Sequence, residues 1–161
     1  IELSRVTDRG IRECGAIDFK KLCVKPGEKV WMIYIDVYPV NADGNLFDAA
    51  GLAAMAALQD AVFPTITEDG QVDYYAKTST KLPVNFKPIG CTVLKVGNEL
   101  IVDPSAEEEP AASARLTTTF TDDGKICAMQ KGGAGTLTAE DIAKMVELSS
   151  VKSADLRGKL Q

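Results

Sequence analysis

Ile89-Gly90-Cys91-Thr92-Val93-Leu94-Lys95-Val96, then Gly97-Asn98, then Glu99-Leu100-Ile101-Val102, forms two aliphatic and β-branched runs either side of a two-residue turn signal. This pattern predicts a β-hairpin, because Gly and Asn tolerate the positive φ that tight hairpin turns require. Downstream the pattern recurs. Ala114 to Thr121 reads as a third strand, Asp122-Asp123-Gly124-Lys125 as a turn, and Ile126 to Gln130 as a fourth strand. Four strands joined this way make an antiparallel meander. It is interrupted only by Asp103 to Ala112, which carries Glu107-Glu108-Glu109 and reads as a loop.

Helical patterns flank the meander. Lys131-Gly132-Gly133-Ala134-Gly135 leads into a helix that continues to about Leu156 or beyond. Thr138 fits its N-cap, Asp141 completes a capping box, and Leu137 with Ile142 could staple the first turn. On the N-terminal side, Asp48 to about Ala61 is Ala-rich and apolar nearly all round, which predicts a buried helix. Phe63 to Leu82 is polar and turn-rich, a surface excursion with a short edge strand near Tyr74-Tyr75. Before the Ala-rich helix stands Lys29-Val30-Trp31-Met32-Ile33-Tyr34-Ile35-Asp36-Val37-Tyr38, whose composition predicts a central strand after a turn at Lys25 to Glu28. Glu2 to about Ala16 is amphipathic. At roughly 100° per residue, Leu3, Val6, Thr7, Gly10, Ile11 and Cys14 share one face, while Arg5, Arg9 and Arg12 lie opposite within an arc of roughly 60°. The order of elements predicts an α+β fold, with helices packed on one face of a mixed, mainly antiparallel sheet.

Composition bounds the function. The chain has 161 residues, 45% hydrophobic and 25% charged, with net charge -5, as expected of one soluble domain. Histidine is absent, which excludes Ser-His-Asp and Cys-His catalysis within the chain. Cys14, Cys23, Cys91 and Cys127 form no CxxC pair and read as reduced, mostly core cysteines. No apolar run reaches the ~18 residues of a membrane span. The chain starts at Ile1, within a helical pattern, as a fragment or processed product would.

Several clusters admit two readings. The arginine stripe can grip successive phosphates, or can be a solvated face paired with Glu2, Asp8 and Glu13. The Gly132 to Gly135 run can cradle a phosphate, or simply turn from strand to helix. The acidic run Glu107 to Glu109 and the pair Asp122-Asp123 can bind a divalent ion, or be solvated turns. Asp36, inside an apolar run, is either functional or paired with a neighbour.

Taken together, these segments resemble the RNase PH-like exosome subunits. The resemblance rests on Glu2 to Glu13, Val30 to Tyr38, Asp43 to Ala54, Asp103 to Glu109 and Ile126 to Gly133, met in the family's order. The chain is most similar to the larger, non-catalytic subunit type of the archaeal exosome core. It then corresponds to one RNase PH-like domain over residues 1–161, the C-terminal two thirds of a longer subunit. The resemblance implies a phosphorolytic 3′-to-5′ exoribonuclease complex in which inorganic phosphate is co-substrate and this subunit needs no cofactor. It implies three heterodimers with a catalytic paralogue in a six-membered ring, RNA-binding cap subunits, single-stranded RNA as ligand and a cytoplasmic location. Arg5 and Arg9, with Arg12 beside them, would contact RNA. Catalytic members carry an Asp where this chain has Arg115, which implies that no catalytic or metal-binding residue is present here. The alternative is that the chain is itself a phosphorolytic exoribonuclease using Asp36 or Asp103. A bare interaction module is the third reading.

Overall fold

The computed structural model describes residues 1–160. Its centre is the meander. Strands β5 (Ile89–Val96), β6 (Glu99–Val102), β7 (Ala114–Phe120) and β8 (Ile126–Gly132) form an antiparallel sheet in the order β6-β5-β7-β8. Gly97 and Gly124 take positive φ at the two turns. The register pairs Cys91 with Thr118 and Val93 with Leu116, while Gly90 meets Thr119 and Thr92 meets Thr117. Side chains alternate across a strand, so these two sets face opposite ways.

Helix α3 (Ala139–Arg157) covers the first face: its Met145, fully buried, packs with Val93 and Leu116. Ser149 Oγ donates to the Cys91 carbonyl at 3.2 Å. The start of α3 follows the sequence pattern. The Thr138 hydroxyl accepts from the Asp141 N–H, and the Asp141 carboxylate accepts from the Thr138 N–H. Lys95 adds an ion pair to Asp141 at 2.6 Å, and chiefly this holds the Asp141 carboxyl down at about 2.

Helix α1 (Glu2–Glu13) lies across the second face, burying Val6, Thr7, Gly10 and Ile11. A Cβ on Gly10 would stand 3.3 Å from Thr119 Cγ2, so the bare glycine sets how closely α1 approaches the sheet. The α+β class holds, but the helices are not confined to one face as the element order suggests. Helix α2 (Leu46–Asp60) packs against α1 and β5, burying Ala50, Ala54, Met55 and Leu58. Ala49, Ala53, Ala56 and Ala57 are exposed, so α2 has one buried side rather than being buried all round. A core of Ile11, Ile17, Leu22, Met55, Leu58 and Ile89 joins α1, α2 and the start of β5.

The largest departure is the predicted central strand. Only Lys29–Val30 (β2) pairs, with Cys23–Lys25 (β1), across the expected turn. Residues 31–40 carry no regular structure, with Tyr34 77% and Tyr38 84% exposed. Trp31 and Ile33 still point inward, and Trp31 packs against Phe63 with ring centroids 5.5 Å apart. The alternation of a strand is therefore present without a ladder. A strand exists only where a neighbour supplies hydrogen bonds, and among the described residues none runs beside 31–40. The excursion at 63–82 holds more structure than expected: β3 (Val62–Ile66) and β4 (Val72–Lys81) make an irregular, largely exposed hairpin.

Candidate nucleic-acid interface

Helix α1 turns its apolar side to the sheet, which leaves Arg5 and Arg12 on its open outer surface beside Ser4, Asp8 and Glu13, with Arg9 half-buried at the edge toward β8. Arg12 is committed within the helix. Its guanidinium pairs with Asp8 at 2.9 Å and approaches Glu13 at 3.8 Å, and the Asp8 hydrogen bond raises its pKa further. Arg5 and Arg9 enter no ion pair among the described residues. The three arginines therefore lie along one side of the helix, and two of them keep guanidinium forks free of carboxylates among the described residues.

A cleft, about 330 Å³, opens between α2, β7 and the loop after β6. Arg115 lies in its wall. The guanidinium sits 4.5 Å from the centroid of the Phe47 ring and pairs with Glu2 at 2.5 Å. Directly across the ladder stands Gly132, where a Cβ would fall 2.5 Å from Arg115 Cζ. Glycine there leaves room for the guanidinium to lie flat. Cation–π contact and ion pair together anchor the first turn of α1 to the middle of the sheet. No local pattern links Glu2 or Phe47 to Arg115, because only the fold brings them together.

The acidic residues have structural partners. Glu109 accepts from the Asn45 N–H at 2.7 Å and Glu108 from the Ser105 N–H at 2.9 Å. Asp122 accepts from the Lys87 N–H, and Asp123 pairs with Lys125. Among the described residues no three Cys, Asp or Glu side chains converge to hold a metal ion. Gly133 takes φ +81° and the Gly135 N–H donates to the Ser113 carbonyl at 2.8 Å, so this run serves as a strand-to-helix turn. Asp36 is exposed in the irregular segment.

The buried carboxylate is Asp48, in the first turn of α2. It accepts from the Thr92 N–H at 3.0 Å and from Asn45 Nδ2 at 3.2 Å; Asn45 Nδ2 also reaches Asp103 at 3.1 Å. Burial pushes the Asp48 pKa up, against the pull of those donors. The folded chain therefore holds this proton more tightly than the unfolded chain. Its stabilising effect is complete below the ordinary aspartate range and is lost as pH rises through the elevated value. Denaturant unfolding at a series of pH values is expected to show that decline in the wild type and a shallower one in Asp48→Asn. Equal slopes would remove Asp48 as its source.

Comparison with known proteins agrees with this architecture. Residues 1–64 match the 3′ exoribonuclease family, domain 1, and residues 87–152 match domain 2 of the same family. The exosome complex component Rrp42 of Methanothermobacter thermautotrophicus is 49% identical over 157 residues, covering 97% of this chain and 58% of that protein. Its counterpart in Thermoplasma acidophilum is 46% identical over 159 residues, 99% and 58% of the two chains. The chain thus spans less than two thirds of the length of these curated relatives. A solved archaeal exosome core superposes with TM-score 0.88 at 40% identity, over 99% of this chain and 62% of that one. The Archaeoglobus fulgidus exosome with RNA bound to the active site gives TM-score 0.88 at 41% identity, over 99% and 61%. Family match, sequence identity and superposition agree, and the chain belongs to the RNase PH family of 3′ exoribonucleases.

Proposed function

We propose that the chain acts as a non-catalytic ring subunit of an archaeal-type exosome. It scaffolds a catalytic RNase PH-like paralogue in three heterodimers and holds single-stranded RNA by its phosphates. RNA-binding cap subunits complete the assembly. Inorganic phosphate is the co-substrate of the complex, and this subunit contributes no cofactor. Its work lies in the cytoplasm. Among the described residues no helix is long and apolar enough to cross a membrane.

The observation that carries the non-catalytic reading is Arg115. The resemblance aligns it with the carboxylate of the family's catalytic members; here it is a cation locked between Glu2 and Phe47, and a guanidinium cannot serve as general base or metal ligand. RNA holding rests on Arg5 and Arg9, whose forks suit phosphate oxygens and need no particular base. An overall charge of -5 suits a binder whose phosphate contacts are local rather than spread over its surface.

Release of nucleoside diphosphates from a labelled RNA tests the reading. Phosphate-dependent release is expected from the mixture with the catalytic paralogue and not from this subunit alone. Release by this subunit alone would overturn it.

A further inference from the structure

The last turn of α1 meets β8 through two sulfur atoms. Cys14 is the C-cap of α1, and its Sγ lies 3.5 Å from the Ile11 carbonyl oxygen. Cys127 is the extra residue of a β-bulge: Thr119 pairs with Ala128 and Phe120 with Ile126, which leaves Cys127 unmatched. Its Sγ lies 3.6 Å from the Thr119 carbonyl oxygen and 3.9 Å from that of Gly10. Both thiols therefore sit against adjacent carbonyls of one helical turn, those of Ile11 and Gly10. The closeness of the two thiols pulls the Cys14 pKa down and pushes that of Cys127 up. Both residues are half-buried, within reach of a small oxidant. The other two cysteines differ. Cys91 is buried, with burial pushing its thiol up to about 12, and Cys23 is exposed.

We propose that Cys14 and Cys127 form an oxidation-responsive dithiol that closes to a disulfide with a peroxide, fastening the end of α1 to β8. The Cys14 thiolate attacks one peroxide oxygen. The O–O bond breaks, the departing hydroxide takes up a proton to become water, and Cys14 is left as a sulfenic acid. Cys127 sulfur then attacks the Cys14 sulfur. The S–S bond forms, the S–O bond breaks, and the hydroxyl leaves as water with the Cys127 proton. Two thiols are oxidised by two electrons and one peroxide is reduced to two waters. Closure falls at a helix end and a bulge, where the backbone is least regular and shifts most readily. The new bond would hold the arginine-bearing helix to the sheet by covalent as well as packing forces.

Treating the full subunit with hydrogen peroxide, alkylating the remaining thiols and mapping the peptides tests this. A Cys14–Cys127 linked peptide is expected in most chains, with Cys91 still alkylated after unfolding. Cys23→Ser should retain the link, whereas Cys14→Ser and Cys127→Ser should each lose it. The oxidised wild type should unfold at a higher temperature, and dithiothreitol should reverse the shift. Oxidation of Cys23 while Cys14 and Cys127 stay alkylatable would overturn the proposal. So would Cys14 passing to the sulfinic acid without a link. The wild-type map decides the matter even if a variant fails to fold.

Discussion

The ring reconstituted with Arg5→Glu and Arg9→Glu is expected to bind single-stranded RNA about a hundredfold more weakly, at about 1.5 kcal/mol for each charge-assisted hydrogen bond removed. Degradation at limiting RNA should fall with it, while assembly, read by size and mass, stays intact. The reasoning is local. Arg5 is exposed and Arg9 half-buried beside β8, and neither has an ion-pair partner among the described residues. Arg12→Ala should cost much less, because Arg12 already spends its fork on Asp8. A milder double variant, Arg5→Ala with Arg9→Ala, gives an independent reading. Each phosphate neutralised on a single strand adds about 0.7 to the slope of log affinity against log salt, so the slope should shrink by about 1.4. Unchanged affinity and unchanged slope would end the assignment of these arginines to RNA.

Gly44→Ala is expected to destabilise the fold by about 3 kcal/mol, combining left-handed backbone strain with overpacking. Gly44 has φ +91°, and a Cβ there would stand 2.1 Å from the Pro104 carbonyl oxygen and 2.6 Å from the Ser105 carbonyl carbon. Both obstacles are backbone and cannot rotate away. Relief would push the 103–109 loop outward, breaking the bond from Asn45 N–H to Glu109 and that from Asn45 Nδ2 to Asp103. Gly97→Ala is the control. Its φ is +60° and nothing lies within 4 Å of the added Cβ, so only the backbone cost of about 1 kcal/mol remains. Chemical denaturation of the two variants separates overlap from strain. Equal losses would show that the loop yields freely at Gly44.

Those contrasts also show what a linear reading of this chain can reach. The meander and the start of α3 are legible because their signals are short-range: Gly97-Asn98 makes its own turn, and Thr138 with Asp141 closes its own capping box. The face of α1 is legible for a similar reason, since helical spacing alone separates Val6 and Ile11 from Arg5 and Arg9. Trp31 to Tyr38 shows where such reading fails. Its composition states that the segment suits a sheet, and its alternation survives at Trp31 and Ile33, but composition cannot supply a neighbouring strand. The same gap hides the buried carboxylate. Asp36 draws attention because its sequence neighbours are apolar, yet it is exposed, whereas Asp48 is enclosed by β5 and Asn45. Arg115 stands out by resemblance; its lock by Glu2 and Phe47 depends on three elements meeting in space.

Asp48 carries a further consequence for how the sheet can grow. Strand β6 spans four residues and accompanies β5 only from Val93 to Val96. The next amide along β5, that of Thr92, is taken by the Asp48 carboxylate. A foreign strand trying to extend the sheet past β6 would need that N–H for its own carbonyl. It would meet an acceptor that has no N–H to give back and that repels the incoming oxygen. An open strand edge is the usual template for unwanted polymerisation. Here a single side chain ends the template in the middle of a strand, which disfavours edge-to-edge pairing of copies along β5 beyond β6.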